Sequence, residues 1–234
     1  MNPSIITNFN NSPTQIFFHG QGEIMSDHMI ETNHFFEINF LTYIFNNHNK
    51  QKGIIDIGAN FGNHSLFFAK FLECDVVHSF EPIDINFTLL QKNMQDFEYK
   101  SKLYNLALSN KMGHMDIYNS QENNFGGFSL HSYSNGSSFL VGKTTEVITL
   151  DSLNLDNITM IKIDVENHEN EVLEGSKNTI IRNKPIIFIE NLFHGYPHMF
   201  NDPNPHFNIL NELNYIKVQS NIVNSLMDLW IPNY

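Results

Sequence analysis

The 234-residue chain sets 13 Lys and Arg against 25 Asp and Glu, a formal net charge of −12. Without a basic cluster to track phosphates or anionic lipid, this argues against a nucleic-acid partner and against a membrane surface. A single cysteine, Cys74, excludes an internal disulfide framework, and 41% hydrophobic residues over this length fit one globular domain. No run of about 18–20 apolar residues is available to span a bilayer. No basic segment leads into an apolar one at the start, so a cytoplasmic location is the expectation.

The first fifteen residues read as polar and loose. Ile16–Phe18 and Glu23–Met25, around Gly20-Gln21-Gly22, predict a short hairpin. Phe36, Phe40, Leu41, Ile44 and Phe45 then share one face of a helix from about Asn33 to Asn47, with Asn33 as its N-cap. From Gly53 the rhythm becomes strand, turn and helix. Strands are predicted at Gly53–Ile57, Asp75–Phe80 and Lys102–Leu106, and helices at Asn63–Leu72 and Asp84–Phe97. Such alternation predicts an α/β fold with a parallel sheet covered on both faces. Between about 111 and 150, the short runs Met115–Tyr118, Phe128–Leu130 and Val147–Leu150 predict a β-rich insertion. Strand Ile158–Ile163, helix Glu169–Arg182, strand Pro185–Ile189 and helix His206–Leu213 follow. Tyr215–Gln219 and Leu226–Ile231 lie too close together for a crossover and must pair antiparallel. A mostly parallel, seven-stranded sheet with an antiparallel C-terminal hairpin resembles the Rossmann-like class I methyltransferase arrangement. Residues 1–50 are expected to form part of an acceptor pocket and 51–234 the cofactor-binding domain.

The turn Asp56-Ile57-Gly58-Ala59-Asn60-Phe61-Gly62 joins the first strand of the alternation to its helix, where open α/β sheets bind ligands. Gly58 and Gly62 permit a tight turn, and the helix start offers free N–H groups to a carboxylate or phosphate. The Gly-x-Gly-x-x-Gly of a dinucleotide site is absent. Asp56 would repel a pyrophosphate, yet it suits the ammonium of S-adenosylmethionine. Glu81 ends the next strand about 25 residues later, placed to accept from both hydroxyls of a ribose.

Seven stretches stand together in one order: Ile-Asp-Ile-Gly-Ala-Asn-Phe-Gly-Asn-His (55–64), Phe-Glu-Pro (80–82), Asn-Leu-Ala-Leu-Ser (105–109), Gly-Gly-Phe-Ser-Leu (126–130), Thr-Leu-Asp-Ser-Leu (149–153), Ile-Lys-Ile-Asp-Val-Glu (161–166) and Lys-Pro-Ile-Ile-Phe-Ile-Glu (184–190). Over roughly residues 50–192 the chain resembles the FkbM-type methyltransferases. It departs from them at Asn167-His168, where the family usually has Gly after Asp-Val-Glu. The resemblance implies S-adenosylmethionine-dependent transfer, mostly to hydroxyls of sugars, polyketides and related metabolites. It implies Asp56, Gly58, Asn60, Gly62 and Asn63 at the methionine end and Glu81 on the ribose. Ile83 would cover a ring face, with Asn105 and Ala107 at the adenine edge.

A weakly acidic hydroxyl needs a base or a metal. Asp164 ends one strand and Glu190-Asn191 the next, about 26 residues on. That pattern resembles the metal site of catechol-type O-methyltransferases, with Asp164, Glu190 and Asn191 as hard oxygen ligands for Mg²⁺ or Mn²⁺. Without a metal, His168, four residues past Asp164, or His194 in the Gly-Tyr-Pro loop is the candidate base, and Asp164 stands beside them as a catalytic acid group. The expected acceptor is a sugar, nucleotide-sugar or glycan, whose faces suit aromatic rings and whose hydroxyls suit amides. N-methylation of a small amine or amide, or a non-catalytic cofactor-binding role, are the alternatives. Exposed strands of the insertion are candidates for pairing in a homodimer.

Overall fold

The computed structural model describes residues 3–119, 125–131, 139–198 and 202–234. Strands β1 (Ser4–Phe9) and β2 (Ser12–Phe17) open the chain as a hairpin. Its two-residue turn is Asn10-Asn11, with φ of 48° and 59°, the double left-handed geometry that asparagine tolerates. Residues 4–17 are therefore ordered, and the expected hairpin around Gly20-Gln21-Gly22 is not formed. Helix α1 (Ile24–Thr32) starts there instead, because the Glu23 carboxylate caps it, accepting from Met25 N at 3.1 Å and Ser26 N at 2.7 Å. Asn33, expected as an N-cap, ends α1 with φ 55°. Helix α2 (Ile38–His48) begins after Glu37.

The alternation follows as β3 (Gly53–Ile57), α3 (Asn63–Phe71), β4 (Val76–Phe80), α4 (Asp84–Met94) and β5 (Ser101–Tyr104). The insertion holds β6 (Ala107–Leu108), β7 (Gly113–Asn119), β8 (Phe128–Ser129) and β9 (Phe139–Ile148). These form a separate sheet in the order β6-β9-β7-β8. Strand β10 (Ile158–Ile163), helices α5 (Glu169–Glu174) and α6 (Lys177–Asn183), β11 (Ile186–Glu190), α7 (Phe207–Glu212), β12 (Tyr215–Gln219) and β13 (Met227–Pro232) complete the chain.

Seven of the described strands make the main sheet, ordered β12-β13-β11-β10-β3-β4-β5. From β11 to β5 every pairing is parallel; β13 runs antiparallel to both β11 and β12. Side chains alternate between the faces. Ile54, Val77, Met160 and Phe188 pack with Phe40, Phe67, Phe68 and Leu90 of α2, α3 and α4. Ile55, Ile161, Ile163 and Ile187 pack with Val172, Leu173, Ile180 and Leu210 of α5, α6 and α7. Both faces are thus covered, as continuous apolar strands require. Phenylalanine supplies much of this filling: the Phe9 ring meets Phe45, Phe67 and Phe71 edge-on, with centroids 5.2, 4.8 and 5.0 Å apart. No helix among the described residues is long and apolar enough to cross a membrane.

The single helix expected over Glu169–Arg182 is broken at Gly175-Ser176. A Cβ on Gly175 would lie 2.0 Å from the Ser109 carbonyl oxygen, so the insertion and α5 approach through a bare backbone. Gly175→Ala has to push a carbonyl away, an overpacking cost of about 2 kcal/mol. The expected outcome is a melting temperature lower by about 4–8 °C for a chain of this size; an unchanged melt would show that the approach is not tight.

Candidate active site

The parallel strands end together. β3, β4, β10 and β11 deliver Gly58, Glu81, Asp164 and Glu190 to the border of one cleft of about 570 Å³. From β3 the sheet grows through β4 and β5 on one side and through β10 and β11 on the other. This is the switch point where open α/β sheets bind ligands. Ile24 and Met25 of α1, Phe36 and Glu37 ahead of α2, and Phe128 of β8 form other walls. The volume suits a nucleoside cofactor together with a small acceptor.

Gly58 has φ 77°, and a Cβ there would stand 1.8 Å from the Asp164 carbonyl oxygen. Only glycine lets β3 pass this close to the end of β10. Gly58 N and Ala59 N then donate to Phe80 O at 3.1 and 3.0 Å, which carries the turn across β4. Asn60 N donates to Glu81 Oε2 at 2.8 Å. Ile83 N and Asn86 Nδ2 reach Glu81 Oε1 at 2.9 and 3.2 Å. Desolvation pushes the buried Glu81 carboxyl up to about 7, against the pull of these donors.

Two asparagines hold the N-terminal segment through its main chain. Asn63 accepts from Phe36 N at 2.9 Å and donates to Phe36 O at 3.0 Å. Asn93 accepts from Phe17 N at 2.8 Å and donates to Phe17 O at 2.8 Å and Phe61 O at 2.7 Å.

Of the expected cofactor residues, Gly58, Asn60, Asn63, Glu81, Ile83 and Ala107 border the cleft. Three do not. Gly62, at φ 91°, would put a Cβ 2.7 Å from Leu90 Cδ1, so it serves the packing of α3 on α4. Asn105 is exposed, donates to the Glu81 carbonyl at 3.1 Å and borders a smaller cavity beside Lys143 and Thr144. Asp56 is fully buried behind the turn. Its Oδ2 accepts from Ser65 Oγ at 2.6 Å, and its Oδ1 lies 3.3 Å from Lys162 Nζ.

Lys162 was not among the residues expected here, and it organises the floor of the cleft. It stands opposite Asp56 in the β10–β3 register. Its buried ammonium donates to Gly58 O at 3.1 Å and lies 3.2 Å from Asp164 Oδ2. Burial opposes its charge, but Asp164 and Asp56 outweigh burial and hold its pKa above the ordinary value. The available signal was a lysine inside an otherwise apolar central strand, which demands a buried partner.

Asp164, Glu166 and Glu190 bring carboxylate oxygens within 4.8 Å of one another. Glu190 is buried and its Oε2 makes no hydrogen bond. Desolvation first, then the neighbouring Asp164 and Glu166, raise its pKa well above the usual carboxylate range. Asn191, expected as a metal ligand, is turned away from this group. Its amide donates to Pro203 O at 3.0 Å and Asp228 Oδ2 at 3.1 Å, and its oxygen accepts from Phe193 N at 3.2 Å. Glu166, not among the expected ligands, takes the third place in the group instead of Asn191. Glu166 and Asn167 take φ of 54° and 73° in succession, so asparagine keeps the left-handed loop that glycine would make. Glu169 Oε1 closes that loop, accepting from Val165 N at 3.1 Å and Asn167 N at 3.2 Å.

Of the two candidate histidine bases, one borders the cleft and one does not. His168 borders the cleft but is only 1% exposed, with Nε2 3.0 Å from Ser109 Oγ. Burial lowers its pKa to about 4, which makes it a weak proton acceptor. His194 lies outside the cleft with Nε2 2.6 Å from Asp228 Oδ1.

Residues 56–217 match the family described as Methyltransferase FkbM domain. No curated protein matches the chain in sequence. Among solved structures, the methyltransferase FkbM from Methylobacillus flagellatus KT superposes with a TM-score of 0.53 at 15% identity, over 77% of this chain and 43% of that one. This chain therefore spans less than half the length of that relative. A protein provisionally named methyltransferase yhhF, from Escherichia coli, matches at TM-score 0.51 and 10% identity over 99% of this chain and 100% of its own. A provisionally named transferase from Pyrococcus horikoshii gives 0.52 at 12% identity, over 99% of this chain and 71% of its own. At these identities the likeness is one of fold.

Removing the ammonium strands a buried carboxylate. Lys162→Met should cost about 3–5 kcal/mol at neutral pH, with part recovered on adding Asp56→Asn. Denaturant unfolding measures both; equal stability of Lys162→Met and the parent would mean that Asp56 does not depend on the ammonium.

Proposed function

The chain belongs to the FkbM methyltransferase family, and on that premise we propose that it moves a methyl group from S-adenosylmethionine to a hydroxyl of a sugar, nucleotide-sugar or glycan drawn from a cytoplasmic pool. When bound, S-adenosylmethionine supplies an electrophilic methyl group on a sulfonium. The turn supports the fit, since Gly58, Ala59 and Asn60 border the cleft and the bare Gly58 backbone lets the turn lie against the end of β10. On this reading Gly58, Asn60 and Asn63 hold the methionine end, the Glu81 carboxylate takes the ribose hydroxyls, and Ile83 and Ala107 flank the adenine. Asp56, Gly62 and Asn105 act from behind, by setting Lys162, α3 and the Glu81 backbone.

One observation carries the choice of a hydroxyl acceptor: Asp164, Glu166 and Glu190 converge on the cleft that the Gly58 turn borders. In the transfer the acceptor oxygen would bond to the methyl carbon as the carbon–sulfonium bond breaks to leave a neutral thioether, and the hydroxyl proton would pass to the Glu190 carboxylate. Burial and mutual repulsion give Glu190 the high proton affinity that this step demands. The rings of Phe36, Phe128 and Tyr196 border the same space and suit the faces of a sugar. A second reading, favoured by the Glu190 Oε2 without a hydrogen bond, seats Mg²⁺ or Mn²⁺ on the same three carboxylates. The cation would orient the hydroxyl and lower its pKa.

Glu81 accepts hydroxyl hydrogens best as a carboxylate. Its raised folded value predicts that S-adenosylmethionine affinity weakens as pH falls through about 7. Glu81→Ala should bind at least tenfold more weakly and lose that pH profile; calorimetric titration reads both, and parent-like binding would remove Glu81 from the site. Transfer is tested with labelled S-adenosylmethionine against a panel of sugar nucleotides after chelation, with and without added Mg²⁺. Product from the parent, and turnover about 100-fold or more lower in Glu190→Gln, are expected for a general base. Strict dependence on Mg²⁺ selects the metal reading, and undiminished turnover in Glu190→Gln rejects both.

A further inference from the structure

Away from the transfer chemistry, a second group of side chains gathers where the inserted sheet meets α5. His131 follows β8, His168 precedes α5, and Glu171 lies in its first turn. His131 Nε2 is 3.2 Å from Glu171 Oε1, and His168 Nδ1 is 3.8 Å from Glu171 Oε2. The two imidazoles sit with centroids 4.6 Å apart. One ligand atom from each of the three residues falls within 4.8 Å of the others.

His168 is the informative member. It is 1% exposed, and its Nδ1 makes no hydrogen bond. Its other nitrogen, Nε2, lies 3.0 Å from Ser109 Oγ. When Nε2–H donates to that hydroxyl, Nδ1 turns a bare lone pair toward the Glu171 carboxylate. A buried acceptor then faces a partly exposed one across 3.8 Å, an arrangement that a cation resolves. The Ser109 hydroxyl on the far nitrogen is the outer partner that metal-bound histidines usually have, fixing tautomer and ring orientation.

We infer that His131, His168 and Glu171 bind one divalent cation of the zinc type and thereby clasp the inserted sheet to α5. Two imidazoles and one carboxylate suit Zn²⁺, Co²⁺ or Ni²⁺ and are a poor match for Mg²⁺. An ion can reach the group from solvent, because the His131 and Glu171 side chains are 37% and 32% exposed. The fields of Glu169 and Glu171 favour a cation here, while that of Lys111 opposes it. The ion would brace the cleft wall rather than touch substrate, since the loop that carries His168 also carries Glu166. Ser129 Oγ already donates to Glu166 O across the same seam at 2.6 Å. None of Asp164, Glu166 or Glu190 is a ligand, so this site stands or falls independently of the methyl-transfer reading.

The test is a Zn²⁺ titration of the chelator-treated full chain, followed by calorimetry and by the visible spectrum of the Co²⁺ form. One Zn²⁺ per chain at micromolar affinity or tighter is expected, with a higher melting temperature and no displacement by millimolar Mg²⁺. His131→Ala and Glu171→Gln, both at partly exposed positions, should each weaken Zn²⁺ at least tenfold while the apo melt stays near that of the parent. Glu190→Gln should keep the full stoichiometry. Absence of Zn²⁺ binding at tens of micromolar, or parent-like affinity in both His131→Ala and Glu171→Gln, would overturn the inference.

Discussion

A lysine ammonium sealed beneath a binding cleft has to be surrounded by acceptors, and the requirement fixes more than its own position. Lys162 is held by Asp56 from β3, by Asp164 just beyond β10 and by the Gly58 carbonyl of the turn. These three groups come from the two strands that flank the switch point. Their separation is therefore set electrostatically as well as by the backbone ladder. With one ammonium between them, two carboxylates that would repel across the cleft floor are drawn together, and the turn at Gly58 is tied to the same point. The parallel register of β3 and β10 places Lys162 beside Asp56. The sheet thus builds the ionic centre, and the centre in turn holds the ends of the strands that form the site.

Much of this architecture is legible in the sequence because it repeats. Strand Ile158–Ile163 and the antiparallel pairing of the last two strands follow from local pattern and short connections. The N-terminal hairpin was misplaced because Gly20-Gln21-Gly22 looks like a turn, whereas Asn10-Asn11 carries the same left-handed geometry with less conspicuous residues. The break at Gly175 depends on a carbonyl 66 positions away in sequence, at Ser109, and no helical pattern records it.

Site residues divide along the same line. Gly58 and Glu81 could be placed at the cleft because each follows a strand end. Which carboxylates face the cleft could not be assigned that way. Asp56 is screened by Lys162, which is distant in sequence but lies on the neighbouring strand. Asn191 is diverted by Asp228 on β13, and Glu166 is turned inward by two successive left-handed residues. In each case the deciding contact is long-range or conformational, so residue type and spacing alone left it open. At Asn167 the departure from glycine costs little, because asparagine reaches φ 73° through the same region.

The asparagines that fasten the N-terminal segment grip main-chain atoms and leave its side chains alone. Asn63 holds both polar groups of Phe36, and Asn93 holds both of Phe17. The wall carrying Ile24, Met25 and Phe36 is consequently anchored by a chemistry that every residue type except proline provides. Exchange of these facing side chains would re-cut the cavity without loosening its hinge to the core. A wall fastened in this way can be re-lined by surface replacement alone, while the ionic floor beneath it stays as it is.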